Sequence, residues 1–401
     1  MRILHVIPAV ARRYGGPSAA VLQMCRALSE TGHDVMLVTT DADGAGALDV
    51  QLGVLTEFDG VKTVFCRRQW SEAFKFSRPL TQWLRTHVPD FDVVHIHALL
   101  SHACLAAAEA CHRLRVPYIV RPLGTLDPWS LAQKPWRKRI LLAAGGRGAL
   151  ARAAAVHYTA VAEQASVEEA FEARAGFVAP LGIDEAWFAP PVPYEERAAA
   201  PFILSISRLH PVKALDALIG AFGRIDRGSW RLVVAGDGDR AYVDALKALA
   251  GRSPAADSIE FHGWVDGADK ARLLRTASVL ALPSHHENFG VGLAEAMACG
   301  TPAVVSRHVM IAGEVAGAGG GWVCDNTVPA LAGCLAQVLP NSRTRLEASK
   351  AARAHAAQYA WPRVAATLIQ AYERVCAAGS AGRVGPTAVT AVTTPPLGHR
   401  R

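Results

Sequence analysis

The stretch 279–306, VLALPSHHENFGVGLAEAMACGTPAVVS, limits most sharply what this chain can fold into. Residues 279–282 form a short apolar run of the kind that is buried on both faces in a parallel sheet. Pro283 stops the run, 284–290 reads as a polar turn, and 291–297 has helical spacing. Gly300-Thr-Pro ends that helix before a second apolar run at 303–305. This strand–turn–helix–strand unit sets a helix N-terminus at the carboxyl end of a sheet, where backbone N–H groups and the helix dipole favour a phosphate. Glu287 lies just before that N-terminus and Glu295 within the helix, and helical side chains lean towards the N-terminus. A carboxylate repels bound phosphate, so the pair suits the hydroxyls of a sugar attached to it. Two glutamates eight apart also fit a capping residue and an exposed helix residue.

The same alternation runs through the chain. Strands are expected at 2–7, 34–39, 61–67, 93–97, 118–120, 154–157 and 177–178. Helices are expected between them, the first capped by Ser18 and running to about Thr31, the last over 161–173. Five prolines (180, 190, 191, 193 and 201) then mark an interdomain linker at 181–201. Beyond it, strands at 203–207, 232–235, 259–262 and 279–282 again alternate with helices, among them 270–276. Two such halves predict an α/β chain of two doubly wound parallel sheets facing a cleft, with domains at 1–180 and 202–360. Residues 361–377 read as a last helix, and the patternless 378–401 as a disordered tail.

Composition narrows the setting. Eight scattered cysteines with no C-x-x-C predict reduced thiols in a cytoplasm and no structural zinc. The N-terminal MRILHVIPAV reads as a first strand and not a signal peptide, and no run of eighteen apolar residues offers a membrane-spanning helix. Between Arg113 and Arg152 nine Arg and Lys face one acid, Asp127, an excess of eight where the whole chain carries +7. This is either a solvated face or a surface for anionic partners; without a recognisable motif, nucleic acid is not expected. Trp129 and Trp136 lie among Lys134, Arg137, Lys138 and Arg139, a mixture suited to an anionic membrane surface.

Other candidate residues stand at expected strand ends. Arg208 and Lys213 in SRLHPVK follow the second half's first strand, where open sheets bind ligands, and two cations can stabilise a departing diphosphate without metal. Gly236 in VAGDGD fits close approach to a nucleotide or a plain tight turn, and Asp237 and Asp239 spell D-x-D. His97 ends a strand, so its imidazole is expected to face the cleft, with His95 turned the opposite way into the sheet. Gly15 and Gly16 occupy the first strand–helix loop but lack the spaced glycines of a dinucleotide site.

The order Pro, Ser, Glu, Gly, Glu, Ala and Gly-Thr-Pro in 279–306 resembles the signature of the retaining family 4 (group 1) glycosyltransferases, which have the two-domain GT-B fold. SRLHPVK resembles that family's Arg–Leu–x–x–x–Lys–Gly element, with Ala214 in place of the glycine, and Pro-Leu-Gly-Ile-Asp at 180–184 resembles its interdomain junction. The resemblance covers roughly 1–377. It implies that Glu287 faces a donor sugar, Glu295 holds a nucleotide ribose, and Arg208 and Lys213 meet the diphosphate. It also implies that His97 orients the sugar, while Gly15, Gly16, Gly236, Asn288, Phe289 and Gly290 bind substrate. The last helix is expected to return to the first domain. The implied activity is metal-independent, cofactor-free transfer of a sugar from a nucleotide-diphosphate sugar to a glycan or lipid-linked acceptor in polysaccharide biosynthesis. A GT-B-fold nucleotide-sugar epimerase and a non-catalytic nucleotide- or glycan-binding module are the alternatives.

Overall fold

A computed structural model describes residues 1–133, 135–171 and 176–380. The chain divides into two compact units, one of Met1–Gly182 with the chain from Trp361 onward, the other of Ile183–Ala360.

The first unit is built on β1 (Arg2–Ala9), β2 (Asp34–Thr40), β3 (Leu55–Phe58), β4 (Val61–Cys66), β5 (Val93–His97), β6 (Tyr118–Arg121), β7 (Ala155–Tyr158) and β8 (Phe177–Val178). Their spatial order is 8-7-6-5-1-2-4-3. All neighbours are parallel except β3, which runs antiparallel to β4 at the edge. β3 was not expected: its residues alternate between exposed and partly buried and form no apolar run. Helices Arg78–His87 and His102–Leu114 supply apolar side chains to the core on one face of the sheet. Gly16–Glu30 and Trp361–Ser380 supply them to the core on the other. The first helix starts earlier than its Ser18 suggested, with Gly15 as cap at φ +74° and Pro17 in the first turn. Ser18 is buried inside the helix and donates to the Ala9 carbonyl at 3.2 Å. The last helix takes in Ala378–Ser380, and the rest of the expected tail lies outside the described residues, as do 172 and 173 of the expected 161–173 helix.

The second unit carries β9 (Phe202–Ile206), β10 (Arg231–Ala235), β11 (Ile259–Gly263), β12 (Val279–Leu282), β13 (Ala303–Ser306) and β14 (Gly321–Cys324), all parallel in the order 11-10-9-12-13-14. The order turns between β9 and β12, and open sheets of this kind bind ligands beyond the carboxyl ends of the strands at such a point. Helix Val291–Ala298 follows β12 and is buried from Leu293 to Ala298.

Part of the expected linker is integral to this second unit. Glu185–Phe188 forms a 3-10 turn and Tyr194–Ala199 a short helix. Arg197, 4 % exposed, donates to the carbonyls of Gly300 at 2.8 Å, Cys299 at 2.9 Å and Val192 at 3.1 Å. Cys299 and Gly300 end the Val291–Ala298 helix, so one guanidinium satisfies carbonyls that the helix leaves unpaired. The proline-rich sequence gave no periodic signal of this long-range contact. Arg197→Met should destabilise the protein by about 2–4 kcal/mol, since buried carbonyls lose charged donors. Urea unfolding of the variant beside wild type measures it.

Candidate functional site

In the second unit the backbone at the strand ends is fixed first. Ser207 N–H donates to Ala235 O at 3.1 Å and Leu209 N–H to Asp237 O at 2.8 Å, locking the loop after β9 onto the loop after β10. Gly236, at φ +137°, permits this: a Cβ there would lie 1.8 Å from the Ser207 carbonyl oxygen. Its lack of a side chain is therefore spent on a neighbouring strand as well as on the cavity that it helps to line. Ala214 closes the 3-10 turn Pro211–Lys213 in the left-handed region at φ +49°. Glycine adopts that conformation freely, which explains the glycine expected at this position.

These loops and the helix Val291–Ala298 surround a cavity of about 250 Å³ lined by Ser207, Arg208, Gly236, Trp264, Lys270 and Gly292, among others. Arg208 is exposed and makes no ion pair among the described residues. Lys213 pairs with Glu287, and both side chains are largely shielded from water. Glu287 is itself pinned by its backbone, donating to His308 O at 3.1 Å and accepting from Met310 N at 3.0 Å. His285 N–H donates to Val212 O at 2.7 Å, tying the turn after β12 to the Lys213 turn. Gly290 caps the helix at φ +81°. Phe289 is buried against Tyr359, edge to face with centroids 5.2 Å apart, so it supports the turn from below. Asn288 sits in the same turn.

Glu295 is buried on the helix and pairs with Lys270 at 2.6 Å. Burial raises its carboxyl pKa, and the Lys270 ammonium pulls it back down. Lys270 and Trp264 were not singled out from sequence. Lys270 appeared only as the first residue of an expected helix, and its partner lies twenty-five residues on; Trp264, 67 % exposed, had no motif around it. Asp239 caps helix Arg240–Gly251 by accepting from Tyr242 N at 3.2 Å, and Asp237 accepts from Gly238 N at 2.8 Å. The D-x-D is thus occupied with turn and cap bonds.

In the first unit the histidines differ from expectation. His95 and His97 share one face of β5, their rings 4.3 Å apart, because residues two apart on a strand point the same way. His97 is wholly buried, with Nε2 2.8 Å from His5 Nδ1 and Nδ1 3.4 Å from Arg121 Nη1. It offers neither ring nitrogen to solvent. The proton positions follow from the ends of two chains. Ala179 O only accepts, so His157 donates from Nε2 at 2.8 Å; His157 Nδ1 then accepts from His95 Nε2 at 3.2 Å, and His95 Nδ1 from the Tyr372 hydroxyl at 2.8 Å. Arg121 only donates, so His97 gives its Nε2 proton to His5 Nδ1. Burial holds all four imidazoles neutral, with His5 and His157 lowered to about 3. His5, His95 and His97 bring ligand-capable nitrogens within 4.8 Å of one another, but these bonds occupy their lone pairs and the Arg121 cation lies alongside. The group reads as a packed polar core. Gly15 and Gly16 are exposed with open space where a Cβ would stand.

The Lys270–Glu295 pair predicts a pH-dependent variant. Lys270→Met leaves a buried carboxylate without its counter-charge, a loss of about 1–3 kcal/mol. The sign follows from Glu295: its folded pKa is already raised, and removing the cation raises it further, so the folded variant is favoured by protonation. The destabilisation should shrink as pH falls and grow as pH rises, which urea unfolding at pH 5 and pH 8 would read.

Two family models match this chain: "Glycosyl transferases group 1" over residues 192–355 and "Glycosyl transferase 4-like domain" over residues 15–182. A D-inositol 3-phosphate glycosyltransferase of Jonesia denitrificans is 27 % identical over 91 % of this chain and 92 % of its own. A GDP-mannose-dependent alpha-(1-6)-phosphatidylinositol dimannoside mannosyltransferase of Mycobacterium tuberculosis is 32 % identical over 55 % of this chain and 58 % of its own. Among solved structures, the fold matches a sucrose-phosphate synthase from Thermosynechococcus elongatus with TM-score 0.76 at 20 % identity, covering 94 % of this chain and 100 % of the other. It also matches Anabaena Alr3699/HepE, solved with UDP-glucose, with TM-score 0.73 at 20 % identity over 93 % and 100 %. With both halves matched and the charged residues gathered at the switch point of the second sheet, the chain belongs to the retaining family 4 (group 1) glycosyltransferases of GT-B fold, enzymes that use nucleotide-sugar donors.

Proposed function

We propose that this enzyme moves a sugar from a nucleoside-diphosphate sugar to a glycan or lipid-linked acceptor in polysaccharide assembly, without a metal ion. The observation that carries this reading is that Arg208 and Lys270 line one cavity at the first turn of helix Val291–Ala298, with Lys270 paired to Glu295 on that helix and Lys213 paired to Glu287 in the turn before it. Trp264 offers an exposed aromatic face for a base, and Glu295 hydroxyl-accepting oxygens for the ribose. The diphosphate lies by Arg208, Lys213 and the N–H groups that open helix Val291–Ala298. Lys213 is shared: a diphosphate that draws its ammonium leaves the Glu287 carboxylate to accept from sugar hydroxyls. As the sugar–phosphate bond breaks, charge grows on the leaving diphosphate, and the two cations stabilise it in place of a metal. Asp237 and Asp239 keep their turn and cap roles. In this arrangement His97 supports the first unit's strand ends from within the core, and Gly15 and Gly16 leave room for the acceptor. The names of the two relatives specify a phosphorylated inositol and a phosphatidylinositol dimannoside, which favours an acceptor carrying phosphate or lipid.

Arg208→Ala and Lys213→Ala should each lower turnover about a hundred- to a thousandfold while weakening donor binding much less. Glu295→Ala should weaken free-nucleotide binding, whereas Glu287→Ala should spare it and impair use of the sugar. Initial rates in excess chelator, with calorimetry of nucleotide binding, test all four. Near wild-type turnover in both cation variants, or loss of rate on chelation, would refute the assignment.

The same reading places the enzyme at an anionic membrane surface through its basic segment. No helix among the described residues is long and apolar enough to cross a membrane. Trp136 is 61 % exposed with Arg137 over its ring at 5.1 Å, and Arg139 and Ile140 are exposed beside it. Lys138 instead turns back to the Ser130 carbonyl and hydroxyl, and Lys134 lies outside the described residues. Arg137 and Arg139 would contribute about 2 kcal/mol together at such a surface. Co-sedimentation with anionic liposomes should fall with added salt and on changing Trp136, Arg137 and Arg139 to Gln. Equal pelleting of the variant would leave the segment as a solvated face.

A further inference from the structure

Asp266 stands at the start of helix Gly267–Thr276 and lines the same cavity as Trp264 and Lys270. An aspartate in that position ordinarily turns back to accept from the first N–H groups of its helix. Asp266 makes no such bond. It makes no ion pair either among the described residues. Asp269 on the same helix takes Arg272, and Lys270 is engaged by Glu295 and by the ring of Trp187, 5.1 Å from its ammonium. The Asp266 carboxylate is exposed, and its one hydrogen bond among the described residues comes from the neighbouring indole, Trp264 Nε1 donating to Oδ2 at 3.4 Å. That bond is long and uses a single oxygen, so the carboxylate keeps acceptor capacity on both.

The cavity has an order that a nucleotide shares. Arg208 and Gly292 line it at the strand ends and the first turn of helix Val291–Ala298. Glu295 is one turn along that helix and holds Lys270. Asp266 is one turn before Lys270, whose N–H donates to its carbonyl at 3.2 Å. Diphosphate at Arg208 and ribose at Glu295 therefore leave Trp264 and Asp266 for the base. Bases differ in what they offer a carboxylate. Guanine presents N1–H and its amino group side by side, two parallel donors for two oxygens. Uracil and thymine present one N–H between two carbonyl oxygens, which a carboxylate repels. Adenine presents its amino group beside a ring nitrogen that only accepts.

We propose that Asp266 selects the base of the donor, its carboxylate accepting from N1–H and the amino group of a guanine stacked on Trp264, so that the sugar arrives on guanosine diphosphate. This rests on the nucleotide-sugar reading above and deepens it. The two residues divide the work. The indole supplies a face that any base can use, and the carboxylate at its rim rejects bases that bring an acceptor to it.

Calorimetric titration of the full chain with GDP, inosine diphosphate, UDP, ADP and dTDP is the test. GDP should bind about ten- to a hundredfold more tightly than UDP, ADP or dTDP, the range for a hydrogen bond to a charged group. Inosine diphosphate keeps N1–H and lacks the amino group, so its affinity should fall between. Asp266→Asn should lower GDP affinity about tenfold or more and leave UDP affinity unchanged, so that the preference collapses. Trp264→Ala should weaken all five nucleotides by a similar factor, because stacking tolerates every base. UDP, ADP or dTDP binding as tightly as GDP overturns the assignment, as does equal affinity for GDP and inosine diphosphate. Equal weakening of every nucleotide in Asp266→Asn also overturns it, since a purely structural role gives that result. Unchanged affinities in Trp264→Ala overturn the stacking. Each of these outcomes leaves the transferase reading standing. If none of the five nucleotides binds, that reading fails and the base assignment falls with it.

Discussion

Opposite charges held half-buried at strand ends are the constraint on which the second unit depends. A parallel sheet brings all its strand carboxyl ends to one edge, and a ligand carrying two phosphates needs cations there. Bare cations packed against a helix N-terminus and a polar turn would repel that positive end. Lys213 against Glu287 and Lys270 against Glu295 solve this by carrying their own counter-charges. The same pairs hold Glu287 in the turn before helix Val291–Ala298 and Glu295 on that helix, so in the proposed function one contact serves both folding and binding. Arg208, exposed and without such a partner, is the cation most available to an incoming anion.

The first unit meets a similar burial problem with neutral groups. Four imidazoles and Arg121 lie under its strands, and a protonated cluster there would be costly. Two directional chains of hydrogen bonds keep the rings neutral, one ending on the Ala179 carbonyl and the other starting at Arg121. Arg121 retains its charge with its pKa lowered to about 10, opposed by burial and aided by the buried Glu163. Glu163 also accepts from Gly124 N at 3.1 Å and Thr159 N at 2.7 Å, tying the loop after β6 to the one after β7. Tyr372 brings the last helix into the first chain, so a segment from the far end of the sequence completes the core of this unit.

Local order was legible in the sequence, and long-range pairing was not. The strand–turn–helix–strand at 279–306 is contained in one short window, so apolar runs, Pro283 and Gly300 sufficed to place it. Glu287 and Lys213 are seventy-four residues apart, and nothing in either window says that they touch. The Arg197 contacts were hidden in a proline-rich segment for the same reason. β3 escaped because an edge strand need not be apolar. The histidine error was different in kind: the two-residue period of a strand puts His95 beside His97, and a strand packed on both faces buries its last residue too. Ending a strand therefore does not by itself present a side chain to ligand.

The glycines of the site make the same point about attribution. Gly236 fitted either close approach to a nucleotide or a tight turn from its motif, and the nearest atom to its missing Cβ is the carbonyl oxygen of Ser207. Gly238 likewise makes room for the Leu209 carbonyl, 2.0 Å from where its Cβ would stand. Their first demand is thus the docking of two loops, and that docking sets Arg208 between Ser207 and Leu209 at the cavity. Ala214 shows the converse. It accepts a left-handed backbone at some cost because the turn it closes carries Lys213, and the lysine's position needs the turn more than it needs the glycine. Backbone conformation, not side-chain identity at these positions, is what brings the cations to the strand ends.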